Sequence, residues 1–432
     1  MRPRAGDVRP HGDDVRPHGD DVRPHAGDVR HAERVCAADA GPPDGRRDEV
    51  PTITGEPGSF ARAVLEQRHP AIVDQVRSTH PYGPEQHRRL DRLLAEALHG
   101  VVEPPERATD ADERWPDRRS WAAWLEPWRG LTWFHVPFLV AESWFYRRLL
   151  DAVGFVEPGP WRWVDPFAPP KVSELRLLAP LAAPPEHADR EALLAASLWG
   201  NQADLGFQLV ARAAAVGGAA RGVAGRDGEV IVDQSARLWE LLDAGGLRVA
   251  WICDNAGREL VADLLLVDRL LADGLASSVT LHLKPLPYFV SDATARDFVD
   301  CLEALGAAGG GAAVARLRSG ALSGALTVAA DPCWCTPLEL RDRPARLDRE
   351  LSAADLVILK GDLNYRRLVG DAVWPPTTPF AEVVQLPGRV AVLRTLKSDV
   401  VVGLDPATVA ALDPGSPGWR TDGRHALVQV RG

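Results

Sequence analysis

Residues that could hold a metal ion follow two apolar runs in the second half of the chain. Asp254 and Asn255 come directly after the run 248–253, and Asp292 lies in the polar segment after the run 279–283. Two carboxylates and one amide, with no Cys or His in the set, favour a hard cation such as Mg²⁺ or Mn²⁺. If the two runs are neighbouring strands, which lie about 4.8 Å apart, these side chains can reach one ion.

Positive charge follows two further apolar runs, in the segments 360–366 and 394–397. Their cationic candidates for contact with a ligand are Lys360, Arg366 and Lys397. Gly361 lets the backbone approach a ligand closely, and a helix starting near Leu363 would point free N–H groups at it. Metal beside fixed positive charge is the arrangement that phosphoryl transfer requires. Each cluster also has an ordinary explanation, as a helix cap, a turn or a surface charge, so spacing alone leaves the site an open hypothesis.

The elements that must position these residues are read from the alternation of apolar runs and helical patterns. The runs predicted as strands are 248–253, 279–283, 325–329, 355–359, 390–393 and 426–430, and the helical patterns between them are 259–271, 294–305 and 363–368. Such alternation predicts a mostly parallel, doubly wound sheet covered on both faces. Ligands bind beyond the carboxyl ends of the strands in such sheets, where the polar clusters lie.

The first half of the chain carries helical patterns instead. Ser59 is a candidate N-cap, and the apolar spacing predicts helices over 60–76, 88–98, 137–150 and 191–210. The fold class predicted is therefore α/β, with a helical N-terminal domain followed by a doubly wound α/β/α (Rossmann-like) domain. The boundaries predicted are 1–52 for a repetitive tail, 53–215 for the helical domain and 216–432 for the catalytic domain. The Gly-rich stretches at Gly217 and Gly309 lie beside Ala runs and are predicted to be flexible loops.

The tail repeats the unit Asp-Val-Arg-Pro-His-Gly-Asp at Asp7, Asp14 and Asp21. Each unit contains a Pro and a Gly and only one apolar residue, so the tail is predicted to be disordered. Whether residues 1–50 are translated at all is left open, with a start near Val50 as the alternative.

Composition and charge exclude several classes of partner. The formal net charge of −10 argues against nucleic acid or an anionic membrane surface, because either calls for a basic face. The sequence contains no apolar run of 18 or more residues, so no membrane span is predicted. The five cysteines are odd in number and scattered, which suits reduced thiols and a cytoplasmic location. They are Cys36, Cys253, Cys301, Cys333 and Cys335.

The segment 355–368, Asp-Leu-Val-Ile-Leu-Lys-Gly-Asp-Leu-Asn-Tyr-Arg-Arg-Leu, resembles the signature of the damage-control phosphatase family, which is also described as acidic-residue methyltransferase-like. Arg394-Thr-Leu-Lys397 is similar to the Arg-Thr-x-Lys element of its sugar-phosphate subfamily. The resemblance covers about residues 55–430, in the family's order. Further matching segments are Gly58-Ser-Phe-Ala61, Asp165-Pro-Phe167 with Lys171, Leu198-Trp-Gly-Asn201, Phe289-Val-Ser-Asp292 and Gly418-Trp419.

The resemblance implies a metal-dependent phosphomonoester hydrolase that acts on small sugar phosphates such as fructose 1-phosphate or fructose 6-phosphate. It implies Mn²⁺ or Mg²⁺, with Co²⁺ or Ni²⁺ as further candidates, held by Asp254, Asn255 and Asp292. The residues expected to contact substrate are Arg258, Asp292, Lys360, Asp362, Leu363, Asn364, Tyr365, Arg366 and Lys397. The only partner expected is a small phosphorylated metabolite, and the oligomeric state is left open.

One point of mechanism and two rival functions also stay open at this stage. Asp254 and Asp292 are the predicted catalytic residues, and the attacking group is either a metal-bound water or the Asp254 carboxylate. One rival is an S-adenosylmethionine-dependent protein carboxyl methyltransferase, although no Gly-x-Gly-x-x-Gly loop follows a predicted strand. The other is a non-catalytic sugar-phosphate-binding protein.

Overall fold

The computed structural model describes residues 50–105, 117–178, 188–200, 228–415 and 418–432. The predicted disordered tail before residue 50 and the predicted loop at Gly217 lie outside these ranges. So does the second half of the helix predicted over 191–210.

The first part of the described chain is helical, as predicted. Ser59 caps the first helix by accepting a hydrogen bond from the Arg62 backbone N–H, and a π-helical turn at Val64–Arg68 continues that helix into the next. The helices are α1 (Phe60–Ala63), α2 (His69–Thr79), α3 (Pro84–His99), α4 (Arg118–Leu125), α5 (Phe138–Val153), α6 (Ala168–Arg176) and α7 (Arg190–Trp199). We call α1 to α6 the helical layer.

The second part contains a sheet of seven strands in the order β1-β7-β6-β5-β2-β3-β4. The strands are β1 (Glu229–Asp233), β2 (Leu247–Ile252), β3 (Ala276–His282), β4 (Leu326–Ala329), β5 (Leu356–Lys360), β6 (Val390–Thr395) and β7 (His425–Arg431). Every neighbouring pair is parallel except β6 and β7. The predicted mostly parallel α/β sheet is confirmed.

Helices cover both faces of this sheet. They are α8 (Ser235–Leu242), α9 (Arg258–Ala272), α10 (Ala295–Ala307), α11 (Gly311–Ser323), α12 (Ala345–Ala353), α13 (Gly361–Val369), α14 (Phe380–Val383) and α15 (Pro406–Gly415). Successive strand residues alternate between two hydrophobic clusters: Trp251 and Ile358 belong to one, Ile252 and Leu359 to the other. That alternation explains why the strands read as continuous apolar runs, because both of their faces are buried.

One local prediction is wrong, and one strand was missed. The segment after Gly309 forms α11 rather than a loop, because its alanines favour a helix and Ala313, Val314 and Leu317 bury one face of it. Strand β1 was not predicted. It lies at the edge of the sheet, where β7 is its one partner among the described strands, and its exposed ends are charged, so its apolar run is short.

The helical layer packs over the carboxyl ends of the central strands. Its own cluster of buried residues includes Tyr288 and Leu363 from the α/β part, and Phe138 of α5 reaches into the cluster on one face of the sheet. Helix α7 packs on α9 within the cluster on the other face. None of the helices in the described ranges is long and apolar enough to cross a membrane.

Candidate metal and phosphate site

The four polar clusters of the sequence follow four neighbouring strands, β6, β5, β2 and β3. From β2 the chain goes to β3 on one side, whereas β5 lies on the other side, so the strand order reverses between β2 and β5. Such a switch point opens a crevice beyond the carboxyl ends of the strands. Asp254 follows β2 at this crevice and Gly361 follows β5.

The three predicted metal ligands are brought together by backbone pairing of two loops. Asn255 and Asp292 form an isolated antiparallel bridge, and the Ala293 N–H donates to the Asp254 carbonyl at 2.8 Å. All three ligand candidates are buried, with side chains converging on one end of the sheet. The pairing of residues 254–256 with 291–293 therefore fixes the backbone from which the two carboxylates extend.

The side chains of this set carry more negative charge than their hydrogen bonds compensate. The Asn255 amide donates to Asp254 at 2.6 Å and to Glu259 at 2.8 Å. One oxygen of Asp292 is buried without a hydrogen bond, with the Lys284 ammonium 3.3 Å away. Burial raises the pKa of Asp254 well above its ordinary value, and the nearby carboxylates of Glu259 and Asp292 raise it further.

This donor set fits a hard divalent cation. The candidate ligands are two carboxylates and one amide. Within the described residues, no group of three or more His, Cys, Asp or Glu side chains is placed to hold a metal ion. Oxygen donors of this kind suit Mg²⁺ or Mn²⁺. A cation there would relieve the repulsion between buried carboxylates and would bind the Asp292 oxygen that accepts no hydrogen bond and lies beside Lys284.

The loop that presents Asp292 is strained and is held by the helical layer. Phe289 and Val290 have φ of 44° and 68°, which is unfavourable for any side chain and most of all for a β-branched one. The Phe289 ring stacks on Tyr146 of α5 with centroids 4.6 Å apart. Packing against α5 therefore stabilises a backbone that the loop would not adopt alone.

Lys171 of α6 supplies a second connection to the same loop. Its buried ammonium donates to the Asp292 carbonyl at 2.9 Å and to carboxylates of Asp165 and Asp297 at 3.0 Å each. Asp297 also forms a capping box with Thr294 at the start of α10. Sequence reasoning quoted Lys171 only as part of a matching segment. No local signal could show this contact, since Lys171 and Asp292 are far apart in the chain.

Gly361 allows the start of α13 to lie against Asp254. Its φ is 79°, and a Cβ at this position would lie 1.9 Å from an Asp254 carboxylate oxygen. The first N–H groups of a helix have no partner within the helix, and they favour negative charge nearby. The close approach seen at Gly361 is to Asp254, and the approach of this backbone to a ligand stays a prediction.

Two predicted substrate contacts have their charged groups occupied by protein atoms. The Lys360 ammonium is buried against Asp263 at 2.7 Å and the Ser197 hydroxyl at 3.0 Å. The Arg366 guanidinium binds Asp371 through two hydrogen bonds of 2.7 and 2.9 Å and Glu142 at 2.8 Å. Contact of either side chain with phosphate stays a prediction.

The other predicted residues of α13 divide between core and crevice. Leu363 packs in the cluster of the helical layer, and the Tyr365 hydroxyl donates to Gln429 at 3.1 Å in the core. Asn364 ties strand ends together by donating to the carbonyls of Cys253 at 3.0 Å and Lys360 at 2.8 Å. These contacts stabilise the elements around the crevice, and the contact of these residues with substrate stays a prediction.

Asp362 anchors the loop that carries Lys397. It accepts hydrogen bonds from Arg394 at 2.9 and 2.7 Å and from the Lys397 backbone N–H at 3.0 Å. Burial opposes ionisation of Asp362, but Arg394 and Arg366 outweigh it and lower the pKa of Asp362. The half-buried Lys397 side chain is near enough to favour the ionised form of Asp254.

Comparison with known proteins shows the family of the chain. The sequence model of the damage-control phosphatase ARMT1-like domain matches residues 64–412. The chain belongs to this family. Damage-control phosphatase ARMT1 of Danio rerio is 30% identical over 440 residues, which cover 86% of this chain and 94% of the relative. The Mus musculus and Homo sapiens proteins of the same name are 28% identical, with 87% of this chain and 97% of each relative covered. Among solved structures, a DUF89 family protein from Pyrococcus horikoshii has a TM-score of 0.46 at 15% identity, covering 85% of this chain and 95% of its own.

Family membership confirms the resemblance found in the sequence, and it makes the chain a member of a family of phosphatases.

In this damage-control phosphatase domain, sequence reasoning missed three charged residues at the crevice. Glu259 connects Asn255 with Lys360, Lys284 lies beside Asp292, and Glu174 of α6 lies over the start of α9. The spacing of Glu259, one turn after Asn255 on a helix that begins at the site, was the one signal available for finding any of them.

Proposed function

We propose that the chain is a divalent-metal-dependent phosphatase that hydrolyses small sugar phosphates such as fructose 1-phosphate or fructose 6-phosphate. The observation that carries the proposal is the convergence of Asp254, Asn255 and Asp292 with the start of α13 at one crevice. Membership of a phosphatase family supports the reaction class.

The metal and phosphate ends of the site are adjacent. Asp254 and Asp292 would hold Mn²⁺ or Mg²⁺ together with Asn255, and the bound ion would neutralise charge on the phosphate oxygens as the ester bond breaks. The N–H groups at the start of α13 and the Lys397 ammonium supply fixed positive charge beside it. The Arg-Thr-x-Lys segment, which the Asp362–Arg394 pair holds in place, supports a sugar-phosphate substrate.

The chain's own residues orient the reaction. Lys171 and the bridge to Asn255 fix Asp292, and the Asn255 amide fixes the Asp254 carboxylate at 2.6 Å. The attacking group is either water or the Asp254 carboxylate itself. Both routes need an ionised Asp254, because a protonated carboxyl neither attacks nor holds a cation.

The test is phosphate release from a panel of sugar phosphates by metal-stripped protein, with Mn²⁺, Mg²⁺, Co²⁺ or Ni²⁺ restored in turn. We expect release from ketose phosphates only with metal, and a loss of about 10³-fold or more in Asp254→Asn. Asp355→Asn is the matched control, because Asp355 lies at the opposite end of the sheet and pairs with Arg248. Release by Asp254→Asn at the wild-type rate would refute the site.

Assays of the same purified protein distinguish the proposal from the two rival functions. Methyl transfer from S-adenosylmethionine to protein carboxyl groups, without phosphate release under any metal, would replace the proposal with a methyltransferase. Tight binding of fructose 6-phosphate without either turnover would make the chain a binding protein.

A further inference from the structure

The Asn255 side chain lies between three groups that together determine which way its amide points. Its Nδ2 donates to Asp254 at 2.6 Å and to Glu259 at 2.8 Å, and its Oδ1 accepts a hydrogen bond from the Ser291 hydroxyl. An ionised carboxylate only accepts hydrogen bonds, so both carboxylates call for the NH₂ end of the amide. The carbonyl oxygen is thereby turned toward the loop that presents Asp292.

This orientation of the amide is the one that a metal ligand needs. A carbonyl oxygen has two lone pairs, so Oδ1 of Asn255 can accept from Ser291 and still bind a cation, whereas the NH₂ group only donates. A half-turn of the amide hardly changes its shape, but it would put the NH₂ group where the ligand oxygen belongs. Because Asp254 is itself a proposed ligand, Glu259 is the neighbour that can hold the amide without binding the ion.

Glu259 is held in turn from the side away from Asn255. Its other carboxylate oxygen lies 3.3 Å from the Lys360 ammonium, which also donates to Asp263 at 2.7 Å. The end of α7 covers Glu259, since a Cβ on Gly200 would lie 2.7 Å from the Glu259 Cα. Glu259 is only 5% exposed, so solvent does not replace these partners. The direction of the Glu259 carboxylate is therefore fixed by the protein alone.

We propose that Glu259 is a positioning residue of the metal site, whose carboxylate holds the Asn255 amide with its Oδ1 toward the cation. The inference rests on the proposed function, because it concerns the ion that Asp254, Asn255 and Asp292 would hold. A carboxylate is needed at this position, since it accepts from a donor on each side, Lys360 and Asn255. The burial of the Lys360 ammonium follows from the same arrangement.

The test compares two variants of α9 that each replace a buried carboxylate by an amide of the same size. Glu259→Gln leaves one acceptor between two donors, so either a buried donor loses its partner or the Asn255 amide turns. Calorimetric titration of metal-stripped protein with Mn²⁺ should show a loss of about 10- to 100-fold in affinity, as is usual when the partner of a metal ligand is removed. Asp263→Asn is the matched control, because Asp263 pairs with the same Lys360 but exchanges hydrogen bonds with Ser197 and not with Asn255. It should bind Mn²⁺ with nearly wild-type affinity.

A double-variant cycle separates the orientation of the amide from the charge of Glu259. In the Asn255→Ala background there is no amide to orient, so adding Glu259→Gln should cause no further loss of Mn²⁺ affinity. The EPR signal of unbound Mn²⁺ follows binding in these weaker variants. A further loss as large as that in the wild-type background would overturn the inference, because Glu259 would then act on the ion through its charge. Equal affinities of Glu259→Gln and Asp263→Asn would overturn it as well.

Thermal unfolding of the metal-free proteins shows whether the variants are folded. If Glu259→Gln does not fold, NMR of wild type decides instead, with the Asn255 side-chain NH₂ assigned by its loss in Asn255→Ala. Its hydrogens should exchange slowly with solvent both before and after Mg²⁺ is added, and rapid exchange would overturn the inference. Failure of the proposed function looks different, because wild type would then bind no Mn²⁺, and the inference would fall with it.

Discussion

Replacing Gly361 with alanine should disable the metal site without unfolding the protein. The new Cβ would lie 1.9 Å from the Asp254 carboxylate oxygen, whereas ordinary contact begins at 3.4 Å. The carboxylate or the start of α13 must therefore move by about 1.5 Å, and metal–ligand distances tolerate only about 0.2 Å. Gly361→Ala should lose most of its affinity for Mn²⁺.

Gly388→Ala is the matched control. Gly388 has φ of 71°, close to the 79° of Gly361, but a Cβ there would meet nothing within 4 Å. Both variants incur the cost of a left-handed alanine, about 1–2 kcal/mol. Gly361→Ala also has to displace Asp254, so it should unfold at the lower temperature of the two while staying folded at the temperature of the assay. Calorimetric titration of metal-stripped protein with Mn²⁺ should show wild-type affinity in Gly388→Ala and a loss of at least about 100-fold in Gly361→Ala. Equal affinities in the two variants would refute the close approach of α13 to Asp254 as a condition of metal binding.

Two further predictions concern buried charge and pH. Arg366→Met should lower the free energy of unfolding by about 3–5 kcal/mol because it leaves the Glu142 and Asp371 carboxylates buried without the cation that pairs with both. Urea unfolding should show a much smaller loss in Arg248→Met, which breaks the exposed Arg248–Asp355 pair, and equal losses would contradict this role. Burial, with a smaller effect of Arg68, lowers the pKa of His69 to about 3. Unfolded protein then binds more protons than folded protein between pH 6.5 and 3, so stability should fall with acidification by up to about 1.4 kcal/mol per pH unit. His69→Phe, which keeps the stacking on Phe145, should remove that part of the slope, and a slope equal to wild type would exclude His69 as its source.

The sequence predicted most strands because the central strands are buried on both faces. The runs 248–253 and 355–359 are apolar at every position after the first, and such runs between helical patterns indicate a parallel sheet. β1 was missed for the converse reason, since an edge strand with exposed ends has no such run. The same rule placed the polar clusters correctly at the carboxyl ends of neighbouring strands, because parallel strands all end at the same edge.

The direction of each side chain at that edge was beyond sequence reasoning. Lys360 ends its strand at the crevice, yet its ammonium lies in the core against Asp263 and Ser197. Arg366 lies on the helix that begins at the site, but its partners are Glu142 and Asp371. Whether a long charged side chain faces a ligand or a buried carboxylate depends on residues that are distant in the chain.

The sequence by itself determined the fold class, the family and the edge of the sheet where the chemistry lies, because periodicity, apolar runs and matching segments are local properties of the chain. Only the tertiary structure decided which charges meet there. Lys171 reaches Asp292, and Glu174 lies over Gly257, because the helical layer packs on that edge. Long-range packing sets such contacts, and no spacing along the chain encodes them.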